Sequence, residues 1–147
     1  MKKKILLIII LASAVSVSFI LMGCTPPNVI TEESFRALAY DRELEVFMDD
    51  NGSLSVTLDN NNATVWFTQF DSVETARDRF TVHEQHINSY SVRRRVTEIN
   101  VSSHNILRAN AGGYFYAVYR IESGVLFAKG LETERDMIRD FISALTQ

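Results

Sequence analysis

Thiols are almost missing from this sequence: among 147 residues there is one cysteine, Cys24. A lone thiol makes no intrachain disulfide and no multi-cysteine metal site, so the fold must rest on packed apolar side chains. Lysine is scarce too. After Lys2, Lys3 and Lys4 the chain holds only Lys129, and every other base is arginine. Both prolines stand together, at Pro26 and Pro27. There is no Gly-x-Ser-x-Gly elbow, no phosphate-binding glycine loop and no dinucleotide fingerprint. With three histidines and no spare cysteine, the sequence offers no catalytic residues and implies no cofactor.

What is present begins with a leader. Three lysines precede a run from Ile5 to Met22 without a charge, and the run ends Leu21-Met22-Gly23-Cys24. A basic start, an apolar stretch and a small-residue cleavage site make a secretory signal. The four closing residues resemble the bacterial lipobox, which reads Leu, a variable residue, Gly or Ala, then Cys. That resemblance implies that Cys24 takes a diacylglycerol on its sulfur and becomes the first mature residue. Residues 1–23 are then a lipoprotein signal peptide and residues 24–30 a tether. Thiol nucleophilicity suits the alkylation. Pro26 and Pro27 keep the tether extended. Two acyl chains are enough for stable anchoring, where one holds only marginally. The competing reading is an uncleaved helix, for which the apolar run is near the lower limit of length. Either reading places the domain on the extracytoplasmic face of the cell membrane.

Removing a leader with three lysines and no acid leaves 12 basic against 18 acidic residues, a formal charge of −6. That balance argues against nucleic acid as a partner and against a domain lying flat on anionic lipid.

Residues 31–147 read as a single α+β domain. Thr31 caps a helix ending near Asp41, with Glu32 and Glu33 in its first turn. Leu44 to Met48 reads as a short strand and Asp49-Asp50-Asn51-Gly52 as a turn. Leu54, Val56 and Leu58 alternate as in a half-buried strand, and Thr64 to Phe70 follows beyond Asn60-Asn61-Asn62. Asp71 and Glu74 form a capping-box pair for a helix with Val73, Ala76, Phe80, Ile87 and Tyr90 on one face. Residues 91–103 fit either strand or loop. Asn105 to Asn110, Tyr114 to Ile121 and Val125 to Lys129 read as strands. Thr133 caps a last helix that presents Met137, Ile138, Phe141, Ile142 and Leu145. The expected fold is an antiparallel sheet of about five strands with the helices packed on one face.

Two stretches carry a wider resemblance, "FTQFDSVETARDRF" and "GGYFYAVYRIESGVLFAKG" with its terminal helix. Over most of the mature chain they look similar to small lipoproteins of Gram-positive bacteria. The resemblance implies a fold and an address, and beyond Cys24 it implies no site residue.

The remaining polar groupings read mostly as structure. His83 and His86 are one residue too close for the zincin spacing, and His83 falls within the buried stripe, so no metal site is expected. Asp49, Asp50, Asn51 and Asp59 do not fit a calcium loop, which needs Gly sixth and Glu twelfth, and are better explained as turn formers. Arg93-Arg94-Arg95, with Arg77 and Arg79, reads as a solvated charge run, with anion binding the sharper alternative.

In Tyr114 to Ile121, alternation puts Phe115, Ala117, Tyr119 and Ile121 on one face and Tyr114, Tyr116, Val118 and Arg120 on the other. With helices on one side only, the second face is either part-exposed, which makes Tyr114, Tyr116 and Arg120 a candidate binding face, or covered by loops or a second subunit. The leading functional expectation is a lipid-anchored, non-enzymatic module that binds an envelope protein, a peptide or a small ligand. An envelope enzyme or metal-binding module, and a subunit that homodimerises through its sheet, are the alternatives.

Overall fold

A computed structural model of the chain describes residues 27–58, 62–91 and 93–147. The leader, Cys24, and Asn60 and Asn61 of the expected turn lie outside the described residues. Helix α1 (Glu32–Asp41) precedes strands β1 (Val46–Met48), β2 (Leu54–Leu58) and β3 (Ala63–Gln69). Helix α2 (Val73–Asn88) leads to β4 (Arg93–Asn100), β5 (His104–Ala111), β6 (Tyr114–Ile121) and β7 (Gly124–Leu131). A short 3-10 turn, Glu132–Glu134, opens the last helix, α3 (Arg135–Thr146).

The strands form one antiparallel sheet of seven in the order β1-β2-β3-β7-β6-β5-β4. Two meanders make it. The first runs β1-β2-β3; α2 then crosses the sheet to the far edge, and β4-β5-β6-β7 returns until β7 pairs with β3. The expectation of about five strands was short of this count: the segment read as 44–48 pairs only over Val46–Met48, and residues 91–103, which fit strand or loop, supply the far edge strand β4. β1 is only three residues long. In β4 the register shifts between Arg95 and Thr97, and a bulge there breaks the alternation that would reveal a strand.

The larger correction concerns the helices, which lie on both faces rather than one. Alternation sends Leu54, Val56, Val65, Phe67, Phe115 and Tyr119 to one side, where they pack with Phe35 of α1 and Ile138 and Phe141 of α3. Leu107, Tyr116, Val118 and Val125 point to the other side, where Ala76, Phe80 and Ile87 of α2 cover them. Gly130 lets α3 approach β7 and β3 closely. A Cβ there would sit 2.7 Å from the Ala63 Cβ and 2.8 Å from the Ile138 Cδ1.

Two helix starts also differ from expectation. Ser72, not Asp71, caps α2: its Oγ accepts from the Thr75 amide at 3.1 Å. Ser72 is the residue in extended conformation just before the first helical one, which is where a capping oxygen reaches the free amides. Thr133 caps nothing, because it lies within the 3-10 turn and its hydroxyl bonds Glu134 Oε1 at 3.0 Å. Thr31 does cap α1, with Ser34 closing a reciprocal box through bonds of 3.1 and 2.9 Å.

Candidate functional site

The face assigned to Tyr114, Tyr116 and Arg120 is covered. Tyr116 and Arg120 are both 0% exposed, and Tyr114 alone reaches solvent, at 37%. The reason is the route of α2, which leaves β3, crosses the sheet and packs on β5, β6 and β7. Tyr116 donates its hydroxyl to Tyr90 Oη at 3.0 Å. Burial and that bond push the Tyr116 pKa well above the usual phenol range. Lys129 Nζ stands 4.4 Å from the Tyr114 ring centroid, a cation over an aromatic face.

Arg120 has a structural part. Its guanidinium donates to the carbonyls of Val101, Ser102, Ser103 and Glu122 at 3.1 to 3.3 Å, and its Nε to Asn105 Oδ1. Asn105 in turn donates to Asn100 Oδ1. One side chain thus satisfies the carbonyls of the β4–β5 turn and ties it to the β6–β7 turn. Burial lowers its pKa, as does nearby Arg77, while Glu122 opposes them.

What α2 leaves uncovered is the β2–β3 end of the same sheet face, and there a cleft of about 430 Å³ opens. Its floor is Trp66 and Thr68 of β3 with Val125 and Phe127 of β7. Register places Trp66 opposite Phe127, and the rings stack at a centroid distance of 5.3 Å. One wall is α2. Its His83 lies flat on Phe127, with centroids 4.3 Å apart and planes 10° apart, and its Arg79 stands 5.9 Å from the Phe70 ring centroid. The end wall is the β1–β2 turn, with Asp49, Asn51 and Ser53. Asp49 Oδ1 accepts from the amides of Asn51 and Ser53, both at 2.9 Å, an Asx turn. Thr68 donates to Ser53 Oγ at 2.8 Å and pins that turn to the sheet.

His83 therefore belongs to an aromatic stack. Among the described residues no cluster of three or more His, Cys, Asp or Glu could hold an ion. His86 faces Tyr90 and Tyr116 edge-on instead. Burial, with Arg79 and His86 adding repulsion, lowers the His83 pKa from 6.5 to about 4. The native state thus favours neutral imidazole while the unfolded chain protonates near 6.5. Stability carried by neutral His83 is complete above that value and is lost as pH falls toward 4. Between pH 7 and 5, urea midpoints of the parent should drop by the equivalent of about 1–2 kcal/mol more than those of His83→Gln. Equal slopes for the two proteins would show that His83 is not buried on Phe127.

The cleft was foreshadowed only in pieces: Asp49 and Asn51 as turn formers, Arg79 as part of a basic patch, His83 as a buried histidine. The backbone of Arg93-Arg94-Arg95 belongs to edge strand β4, away from it. His104 opens β5, where its Nδ1 lies 3.1 Å from Ser103 Oγ. Among the described residues no helix is long and apolar enough to cross a membrane. No protein-family model matches the chain, no curated protein matches it, and no solved structure matches it.

Proposed function

We propose that the chain is a lipid-anchored, non-enzymatic binding module on the outer side of the cell membrane, and that the cleft beside α2 receives a small ligand. The cleft carries this reading. Its volume of about 430 Å³ lies in the range of small-molecule sites. Its floor is aromatic and a few polar groups line it. The closed β6 face weighs against a broad protein-docking surface there. The anchor is supported by Lys2 to Lys4, the apolar run and Leu21-Met22-Gly23-Cys24.

Two variants separate the halves of the proposal. In cells fed labelled palmitate, the parent and Thr68→Tyr should take up label and sediment with membranes, and Cys24→Ala should do neither. On purified chain, Thr68→Tyr fills the floor of the cleft and should abolish the response of Trp66 fluorescence to small ligands that the parent and Cys24→Ala retain. Label entering Cys24→Ala would remove the anchor from the proposal; a ligand response surviving in Thr68→Tyr would remove the cleft.

A further inference from the structure

The cleft is lined by one cation, Arg79, and one anion, Asp49, that do not pair. Arg79 comes from α2 and Asp49 from the β1–β2 turn, so they stand on different walls. Among the described residues no carboxylate lies within 4.0 Å of the Arg79 guanidinium. Asp49 Oδ1 accepts from the turn amides, and among the described residues Oδ2 has no protein partner. Trp66 and Phe127 line the same space, and His83, which is neutral near pH 7, adds no third charge. Unlike charges that face one space without touching form a template for a molecule with the reverse pair.

We infer that the cleft takes a small zwitterion: an α-amino acid with an apolar side chain, its carboxylate on Arg79, its ammonium on Asp49 and its side chain on Trp66 and Phe127. This rests on the cleft being a binding site. Each contact matches known chemistry. The guanidinium fork fits a carboxylate with two parallel bonds. An ammonium bound near Trp66 gains further from the ring face. A sugar would use the aromatic floor but has no need of the separated charges. A neutral aromatic would use the floor but gain nothing from either charge.

Trp66 is the only tryptophan in the chain, so its emission reports the cleft without a label. The full chain in detergent is titrated at neutral pH with L-leucine, L-leucinamide, N-acetyl-L-leucine and chitotriose. Leucinamide lacks the carboxylate and N-acetyl-leucine lacks the ammonium. Leucine should bind, and each blocked analogue should bind about tenfold more weakly or worse, the loss of one charge-assisted bond. Arg79→Gln should weaken leucine by a similar factor while leaving leucinamide unchanged. Asp49→Asn keeps the oxygen that the turn needs and removes the charge. It should weaken leucine and leave N-acetyl-leucine unchanged. Analogues that bind as tightly as leucine would overturn the zwitterion. Chitotriose binding alone would also overturn it, while leaving a small-ligand module in place. No response to any of the four would remove both readings.

Discussion

Replacing Arg120 by alanine should cost the domain about 3–5 kcal/mol, read as a fall in its urea midpoint. The side chain is 0% exposed, and its five hydrogen-bond partners are four backbone carbonyls and the Asn105 amide oxygen. Four of those acceptors are main chain, so no compensating substitution can remove them. The Ser103 carbonyl also accepts from the Glu122 amide at 3.0 Å, and leaving the others unmet costs about 1–3 kcal/mol each where they are shielded, less where water enters the space. Arg120→Met separates volume from bonding. It fills most of the space and donates nothing, so it should recover little of the loss. Arg120→Lys keeps the charge with three donors in place of five and should fall between. Hydrogen exchange should locate the damage in the amides of residues 100–105, which that guanidinium holds, before it spreads to β7. A methionine variant as stable as the parent would show that the carbonyls find other partners.

Arg120 also shows what the sequence conceals. An arginine in a strand of apolar residues looks like a surface residue reaching past its neighbours. Its partners, Val101 to Ser103, lie 17 to 19 residues upstream and converge only when β4 and β5 fold back. Local patterns were readable where one side of an element is wet. The alternation of β2 and β3 and the apolar stripe of α3 follow directly from residue order. Which face a helix covers is not in its stripe, since a stripe states a need for cover and not an address. One clue to the three layers did exist. Both faces of β6 are apolar, and a strand buried on both faces needs cover on both. The cleft was hidden for another reason. Asp49, Trp66 and His83 come from a turn, a strand and a helix, and only the diagonal route of α2 sets them around one space. The single signal for it is Trp66, a large ring between Thr64 and Thr68 on the polar side of β3.

The position of α2 is therefore the point on which both the site and the fold turn, and Phe115 and Tyr116 test it together. They are neighbours on β6 facing opposite sides of the sheet, and both are 0% exposed. Phe115 packs in the core under α1 and α3; Tyr116 packs under α2 with Phe80, Tyr90 and Phe127. Phe115→Ala should cost about 3–5 kcal/mol, as buried aromatic truncations do. If α2 seals the second face, Tyr116→Ala should cost a similar amount, because it opens a comparable cavity beneath the helix. Tyr116→Phe keeps the ring and removes only the bond to Tyr90, so it should cost about 0.5–1.5 kcal/mol. Denaturant melts of the three variants decide between a covered and an open face. A large loss for Phe115→Ala beside a loss under about 1 kcal/mol for Tyr116→Ala is the pattern of a ring standing in water. It would mean that α2 does not rest on β6. The cleft wall built from Arg79 and His83 would then lose its footing, since both side chains ride on the helix that Tyr116 supports.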